Sequence, residues 1–276
     1  IYAALLEARA DRGSVLVAVG GGVVGDMTGF AAATYQRGVA HVQVPTTLLA
    51  ASDSALGGKT AVNLASGKNL AGTFHHPRLV CVDTRLLASL SDRDHRSGLA
   101  EVVKSALLSA PFWKRLPALA APLASRDPGA LSDAIHASLR MKAGVVSADP
   151  DEARGLRHAL NLGHTVAHAL EGASGYRLRH GEAVAWGLLA ALRLSAARGL
   201  FPERAAERAG RLVEELLVPP LLSPKVCRTW PSHLGSDKKR DRHGLREVLL
   251  AGPGAPRLER VTAEEIAGSL PGEAGG

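Results

Sequence analysis

An apolar run that ends in a cluster of glycines is the feature that most constrains the fold of this chain. Ser14–Val19 leads directly into GGGVVGD at residues 20–26. A short apolar run of this kind predicts a buried strand, and glycines after it let backbone N–H groups approach an anion at the next helix start. A tight strand-to-helix connection without a ligand would read the same way. Two acids and two lysines in or after the cluster favour a ligand-binding turn: Asp26, Asp53, Lys59 and Lys68.

The segments around this turn predict a parallel sheet. A helix of small residues follows over 25–34, a second strand spans Ala40–Val44 and a third short run spans Leu79–Val82. Strand, helix and strand in succession are typical of parallel strands joined by crossover helices. Residues 1–10 read as the end of an amphipathic helix that starts without a methionine, so we expect the sequence to be a fragment of a longer protein.

Beyond about residue 84 the strand patterns nearly vanish and helical periodicity replaces them. The predicted helices span 97–108, 112–125, 129–147, 158–173, 181–198 and 203–217. Near the C-terminus, Glu247–Ala251 reads as a short strand and 262–269 as a final helix. We therefore expect an α/β N-terminal part over residues 1–90 and an α-helical part over residues 91–276.

The composition favours a globular protein that binds a small anion over one that binds nucleic acid. The 276 residues include 33 basic and 26 acidic side chains, a net charge of +7. No basic stripe interleaved with aromatic residues is present, which argues against single-stranded nucleic acid. Cys81 and Cys227 fit no metal spacing, and the sequence shows no signal peptide and no 18-residue apolar run, so we expect a cytoplasmic protein without membrane segments.

Glu101 and Lys104 form a charged pair inside an apolar segment. They lie three residues apart on a predicted helix and therefore share a face. An isolated pair of this kind is usually on the surface, but the neighbours here are small or apolar. A buried charged pair needs a partner or a metal ion.

Three histidines favour a metal site. His164 and His168 lie four residues apart, which places both imidazoles on one helical face, and His180 stands at the start of the next predicted helix. A single histidine on an apolar helix is more often an ordinary core residue. Together with Glu101, the three histidines predict a catalytic zinc-type site with open coordination positions.

Further basic and polar residues surround these motifs in the sequence. Arg157 and Asn161, four residues apart, would face the same cleft if their helix runs continuously into His164, and Lys142 precedes them. The charge run Asp237–Arg240 reads either as a solvated surface or as a contact to a phosphate.

With these residues in view, the chain resembles the 3-dehydroquinate synthases of the sugar phosphate cyclase family. The matching motifs span about residues 14–250, in the order that is typical of the family: GGGVVGD, ATYQRG, VPTTLLA, SDSALGGKTAVN, GKN, SGLAEVVK, NLGHTVAHALE, HGEAVAWG and DKK. The Gly-Gly-Lys-Thr form at 57–60 is similar to the dehydroquinate branch rather than to the cyclases of glucose 6-phosphate or sedoheptulose 7-phosphate.

The resemblance implies a lyase of the shikimate pathway of aromatic amino acid biosynthesis. Its substrate would be 3-deoxy-arabino-heptulosonate 7-phosphate, and its cofactors tightly bound NAD and a divalent metal, zinc or cobalt. The reaction would run through transient oxidation at C5, β-elimination of phosphate, re-reduction, ring opening and aldol closure. The resemblance also implies a partial Rossmann-like NAD-binding domain over residues 1–90, a metal- and substrate-binding domain over 91–276, and a homodimer.

The resemblance assigns site residues by motif. The metal ligands would be Glu101, His164 and His180. The NAD site would be lined by Gly21, Gly22, Val23, Asp26, Thr46, Thr47, Lys68, Leu86 and Ser89. Substrate contacts would come from Arg37, Asp53, Lys59, Asn69, Glu101, Lys104, Lys142, Arg157, Asn161 and one of Lys238 or Lys239. Catalytic roles would fall to Lys59, Lys104, Lys142, Glu152, Arg157, Asn161 and His168, the last as a proton-relay or phosphate-side histidine.

The chain departs from the family pattern at three places. A family segment before the first strand, which completes the nucleotide-binding sheet, is absent from this sequence. Glu152 is displaced by one residue from the family's acidic position, and 221–237 matches poorly. Three alternatives stay open: a branch cyclase such as an aminodehydroquinate synthase, a polyol dehydrogenase of similar two-domain plan, and an inactive homologue that binds an anion or a partner.

Overall fold

The computed structural model describes residues 1–64, 67–234, 240–241 and 244–270 of the chain. Its N-terminal part contains α1 (Tyr2–Glu7), β1 (Val15–Gly20), α2 (Gly22–Thr34), β2 (Ala40–Pro45) and β5 (Leu79–Val80). The three strands form a parallel sheet with the order β1-β2-β5. The predicted strands and the small-residue helix are therefore confirmed, with bounds shifted by at most a few residues.

Strand β1 illustrates how the sequence positions the glycine turn. Leu16 and Ala18 are buried, whereas the alternate valines of the strand are exposed on the opposite face of the sheet. The strand pairs with β2 along its whole length, from Val15 opposite Ala40 to Gly20 opposite Pro45. Both strands consequently end at the same edge, where the glycine turn begins α2.

A β-hairpin between β2 and β5 is the main element that the sequence analysis did not predict. Strands β3 (Lys59–Leu64) and β4 (Gly67–Phe74) pair antiparallel, with Lys59 opposite Phe74 at the base. The hairpin packs on α2, where a Cβ on Gly29 would lie 2.4 Å from Cγ2 of Thr60. Its glycines and lysines were interpreted as ligand-binding loops, so the pairing of the two segments was missed.

The second part of the chain is helical, as predicted. Its longer helices are α3 (Asp92–Leu107), α4 (Ala110–Ala124), α5 (Pro128–Ala148), α6 (His164–Ala173), α7 (His180–Ala197) and α8 (Glu203–Leu217). Twelve of the 18 residues of α7 are buried, and α7 packs against α3, α6 and α8. The main hydrophobic core therefore surrounds α3 and α7, and it also takes in Leu48 and Leu87 from the N-terminal part.

The predicted continuous helix over 158–173 is wrong in one respect, because a non-helical turn interrupts it in the middle. A 3-10 helix spans Leu156–Asn161, Leu162 takes an extended ψ of 123°, and Gly163 has a φ of 75° before α6 begins. Positive φ is accessible to glycine at little cost. The continuity that would have placed Arg157, Asn161 and His164 along one helix is therefore absent.

The C-terminal region adds a third sheet. After the short helix α9 (Pro224–Thr229), strands β6 (Arg240–Asp241), β7 (Gly244–Leu250) and β8 (Pro256–Val261) pair antiparallel, and α10 (Ala263–Gly268) follows. The predicted strand over 247–251 belongs to β7 and the predicted final helix is α10. The partner strand β8 was not predicted.

These elements confirm the expected fold class, an α/β part with a parallel sheet followed by a helical part. Across the described residues, no helix is both long enough and apolar enough to cross a membrane.

Candidate active site

Helix α3 carries two charges into the interior of the protein. Its start is fixed by Ser91, whose side chain accepts a hydrogen bond from the backbone N–H of Asp94. Glu101 is completely buried and Lys104 is 1% exposed. The Nζ of Lys104 forms an ion pair with Oε2 of Glu101, so the pair shares a buried helical face as predicted.

Asp53 joins this pair to a second lysine. It lies in the π-helical turn Ala50–Ser54, and its carboxylate is 3.6 Å from the Nζ of Lys104 and 2.8 Å from the Nζ of Lys142 on α5. Lys142 also donates a hydrogen bond to the backbone carbonyl of Asp53 at 2.8 Å. Burial alone would raise the pKa of the Asp53 carboxyl, but the two ammonium groups outweigh burial and lower it.

Glu101 also faces two imidazoles, and these three side chains form a candidate metal centre. Its Oε1 lies 3.7 Å from Nε2 of His164 and 3.3 Å from Nε2 of His180. One ligand atom from each of the three residues falls within 4.8 Å of the others. The buried Oε1 has no hydrogen-bond partner among the described residues. A carboxylate oxygen without a partner beside two imidazole nitrogens fits a divalent metal with open coordination positions.

The two imidazoles differ in how they are charged. Burial and the nearby Lys104 lower the pKa of His164 to about 3. Burial also opposes the charge on His180, but the carboxylates of Glu101 and Glu171 outweigh burial and raise the pKa of His180 to about 9. His164 is therefore neutral at pH 7, the state in which imidazole binds metals.

His168 stands beside the centre without joining the three. Its ring lies 5.6 Å from that of His164 and 6.5 Å from that of His180, between ring centres. It is exposed to solvent, whereas His164 is buried. The predicted convergence of three histidines is therefore observed, with His168 on the solvent-exposed side of the cluster.

Two close backbone contacts bring α6 and α3 against α7. A Cβ on Gly187 of α7 would lie 1.8 Å from the carbonyl oxygen of Gly163, immediately before His164. A Cβ on Gly181 would lie 1.9 Å from the carbonyl oxygen of Ser97, whose hydroxyl accepts a hydrogen bond from the Gly181 N–H at 3.0 Å. Glycine is required at both positions, because any side chain would separate α6 or α3 from α7.

Arg157 brings a buried positive charge to the same region. It is 2% exposed, and its guanidinium donates hydrogen bonds to the carbonyl oxygens of Gly57 at 2.9 Å and Pro150 at 2.8 Å. Its Nε has no hydrogen-bond partner among the described residues. A Cβ on Gly57, which has a φ of 121°, would lie 3.0 Å from Nη2 of Arg157 and 3.3 Å from Cε of Lys142. Gly57 therefore lies directly against both cations.

Other predicted substrate residues are distributed more widely. Lys59, at the hairpin base, forms a 2.6 Å ion pair with Glu152, which joins the hairpin to the loop after α5. Asn69 is exposed near the hairpin tip, where its N–H bonds Oδ1 of Asn63. Asn161 lines a small cavity with His158 and Thr165 rather than the ionic cluster.

The glycine turn and the loop after β2 form one structure. Gly21 caps α2, and a Cβ on it would lie 3.0 Å from Cγ2 of Thr47. The N–H of Thr46 donates to the carbonyl of Gly20 at 2.8 Å. Burial raises the pKa of Asp26, on the first turns of α2, to about 6, and Lys142 lowers it only partly.

The remaining residues predicted to bind cofactor or substrate lie further from these contacts or outside the described residues. Val23 is exposed at the start of α2, and Leu86 and Ser89 are exposed on the 3-10 helix Thr84–Ser89 that follows β5. Arg37 is exposed beyond the C-terminal end of α2, opposite to the glycine turn. The backbone of Lys68 belongs to β4, but its side chain, like Lys238 and Lys239, lies outside the described residues.

The sequence analysis missed Glu171. Its carboxylate Oε1 lies 3.7 Å from Nδ1 of His180, and its side chain is 8% exposed. Its position three residues after His168 and seven after His164 places it on the histidine face of α6, a signal that was available in the sequence.

Comparisons with known proteins agree with this arrangement. The family model described as 3-dehydroquinate synthase N-terminal matches residues 1–97, and that described as 3-dehydroquinate synthase C-terminal matches residues 98–240. A 3-dehydroquinate synthase of Halorhodospira halophila is 49% identical over 92% of this chain and 72% of its own length. One of Pyrobaculum aerophilum is 46% identical over 97% of this chain and 78% of its own length.

Solved structures of cyclases are also similar. A 2-deoxy-scyllo-inosose synthase complexed with carbaglucose-6-phosphate, NAD+ and Co2+ has a TM-score of 0.83 at 32% identity, over 96% of this chain and 76% of that one. A 2-epi-5-epi-valiolone synthase from Streptomyces hygroscopicus, with NAD+ and Zn2+ bound, has a TM-score of 0.87 at 30% identity, over 97% and 75%. A glycerol dehydrogenase from Schizosaccharomyces pombe, at 18% identity and a TM-score of 0.60, shares the fold alone.

Proposed function

The chain belongs to the 3-dehydroquinate synthase family, and from this premise we propose how its residues divide the work of the reaction. The reaction converts 3-deoxy-arabino-heptulosonate 7-phosphate to 3-dehydroquinate and phosphate by transient oxidation, β-elimination, re-reduction and aldol closure. The observation that supports this assignment most strongly is the contact between a candidate metal centre and a pocket of lysines. Glu101 belongs to both, because it faces His164 and His180 on one side and pairs with Lys104 on the other.

Glu101, His164 and His180 would hold the metal. A bound metal would polarise a substrate hydroxyl and stabilise negative charge on its oxygen, and NAD would supply the hydride chemistry. All other steps below concern groups of the protein itself.

Lys104 orients the substrate at the edge of this centre. Its ammonium group is fixed between Glu101 and Asp53, so its remaining N–H bond points at a substrate oxygen with little freedom to turn away. A preoriented donor in a site without water stabilises developing charge more strongly than a mobile one. Asp53 positions both Lys104 and Lys142 through the contacts described above.

Lys142 and Arg157 supply the positive charge for the phosphate group. Arg157 and Lys142 both lie against Gly57, and the buried Nε–H of Arg157 has no hydrogen-bond partner among the described residues. A buried N–H donor without a partner is costly unless a ligand completes its hydrogen bonds. Arg157 is suited to phosphate because its planar donors match two oxygens at once.

The remaining assignments follow from position. His168, which is exposed beside the metal centre, relays a proton to or from the substrate. Lys59 contacts the substrate after its ion pair with Glu152 opens. The glycine turn with Asp26, Thr46 and Thr47 binds NAD at the carboxyl edge of the parallel sheet, where ligands of such sheets bind.

Assembly and location belong to the same proposal. The enzyme works as a homodimer in the cytoplasm on a small sugar phosphate, with no nucleic acid or membrane partner. The domain boundary near residue 90 is likewise a prediction that domain-wise expression would test.

A second candidate is a related sugar phosphate cyclase, and the likeness to the inosose and valiolone synthases favours it. A substrate panel separates the two. Phosphate release from the heptulosonate phosphate, with none from glucose 6-phosphate and no cyclisation of sedoheptulose 7-phosphate, supports the dehydroquinate reaction. Activity on either of the other two sugars alone would contradict it.

The residue roles are tested by a pair of variants. Lys104→Met removes the ammonium group but keeps the length of the side chain, so we expect zinc content near one equivalent and a loss of turnover of at least about a hundredfold. His180→Ala removes a ligand, and we expect it to lose the zinc. Near-normal turnover of Lys104→Met, or full zinc content in His180→Ala, would refute the respective role.

A further inference from the structure

The two histidines of the metal centre present the same ring nitrogen to it. Nε2 of His164 and Nε2 of His180 both face Oε1 of Glu101. An imidazole offers a lone pair at Nε2 only when the proton sits on Nδ1. What lies beside each Nδ1 therefore decides whether the ring is ready to bind a metal.

His164 has such a partner in the backbone. Its Nδ1 lies 3.1 Å from the carbonyl oxygen of Leu162, which can only accept a proton. The non-helical turn before α6 orients this carbonyl toward the ring, because Leu162 and Gly163 leave the helical conformation. The tautomer of His164 is thus set by the same turn that sets its position.

Among the described residues, no carbonyl forms a comparable hydrogen bond with His180, and its Nδ1 faces Glu171 instead. The distance from Nδ1 to Oε1 of Glu171 is 3.7 Å, and the Glu171 side chain is 8% exposed. The ring of His180 therefore stands between two carboxylates, Glu101 at Nε2 and Glu171 at Nδ1.

We propose that Glu171 is a positioning residue for His180, which accepts the Nδ1 proton and so holds Nε2 toward Glu101 and His164. The carboxylate fixes the ring orientation and makes Nε2 a stronger ligand, as hydrogen-bonded partners of metal-binding histidines do elsewhere. Glu171 would act through His180 and would not touch the substrate. This inference rests on the proposed metal site.

The test compares zinc affinity and the His180 tautomer across three variants of the full chain. Glu171→Ala removes the acceptor, and Glu171→Gln keeps an acceptor oxygen without the charge. Glu182→Gln is the matched control, since Glu182 lies in the first turn of α7 close to His180 and its carboxylate pairs with Arg93 at 2.5 Å instead. Competition with a chelator gives the dissociation constant of zinc. Long-range 1H–15N spectra of the zinc-free protein, recorded above the pKa of His180 where the ring is neutral, report which nitrogen of His180 carries the proton.

For Glu171→Ala we expect zinc affinity to fall about ten- to a hundredfold, with His180 shifting from the Nδ1–H form to a mixture. Glu171→Gln should show a smaller loss, and Glu182→Gln should stay within about twofold of the unmodified protein. If Glu171→Ala does not fold, Glu171→Gln decides, and zinc binding equal to that of Glu182→Gln overturns the inference. Unchanged affinity and tautomer in Glu171→Ala overturn it as well. An unmodified protein that binds no zinc would overturn the metal site itself.

Discussion

The contact between Gly187 and Gly163 should control both stability and catalysis. In Gly187→Ala, the new Cβ would lie 1.8 Å from the carbonyl oxygen of Gly163 and 2.7 Å from its carbon. Close C···O contacts in proteins are about 3.3 Å, so α6 and α7 must separate by about 1.5 Å. His164 follows Gly163 directly, and the substitution therefore moves one metal ligand relative to the others.

The expected magnitudes follow from this displacement. Overpacking costs about 1–3 kcal/mol, and the gain of about 1 kcal/mol from replacing a helical glycine with alanine offsets part of it. A misplacement of about 1 Å in a catalytic site costs about a hundredfold in rate. We expect Gly187→Ala to lose up to about 2 kcal/mol in the free energy of unfolding and about a hundredfold in kcat.

Gly144→Ala is the matched control for this variant. Gly144 also lies within a helix, α5, but nothing lies within 4 Å of a Cβ placed there. It should gain up to about 1 kcal/mol and keep its activity. Urea unfolding and phosphate-release rates measure both variants. The argument fails if Gly187→Ala unfolds at the same urea concentration as Gly144→Ala and turns over at the same rate.

Three further substitutions test other contacts. Burial raises the pKa of Asp26 to about 6 from its ordinary 3.8. The folded state therefore binds the carboxyl proton of Asp26 more tightly than the unfolded state does, and the free energy of unfolding falls as pH rises through about 6. Above pH 6 and without NAD, Asp26→Asn should be more stable than the unmodified protein by at most about 2 kcal/mol, a figure reduced because Asp26 is partly exposed. An equal gain at pH 4 would show that the raised pKa of Asp26 is not the cause. Glu152→Gln should change the free energy of unfolding by less than about 1 kcal/mol, since its partner Lys59 is 56% exposed; a larger change in urea titrations would contradict this. Arg157→Lys keeps the charge but loses the bonds to Gly57 and Pro150, so KM should rise and unfolding should become easier by about 1–3 kcal/mol, and unchanged values of both would count against the phosphate role.

Local patterns were enough to predict the elements that position the site. The run Ser14–Val19 and the glycines after it predicted β1 and the start of α2, because both signals lie within a few residues of one another. The spacing of His164 and His168, with His180 at the next helix start, predicted the histidine cluster for the same reason. The assignment of Glu101 needed the apolar neighbours of α3 as well as the family resemblance.

The features that the sequence did not predict depend on contacts between distant residues. The non-helical turn before α6 depends on the close backbone contact between Gly163 and Gly187, which lies 24 residues later. One hydrogen-bond acceptor for the Arg157 side chain is the carbonyl of Gly57, 100 residues earlier. The hairpin β3–β4 depends on cross-strand pairing and on packing against Gly29 of α2, whereas its lysines and glycines taken singly favour a loop.

The central claim is that one site holds a metal and NAD, and that the substrate gives a hydride to NAD and receives it back within each turnover. The most direct measurement supplies the heptulosonate phosphate to the purified protein with NAD and zinc, and follows phosphate release and NADH absorbance together. We predict one phosphate and one 3-dehydroquinate per substrate with no net NADH, because the hydride returns to the molecule that gave it. Accumulation of NADH in proportion to substrate consumed would instead indicate a dehydrogenase and contradict the account.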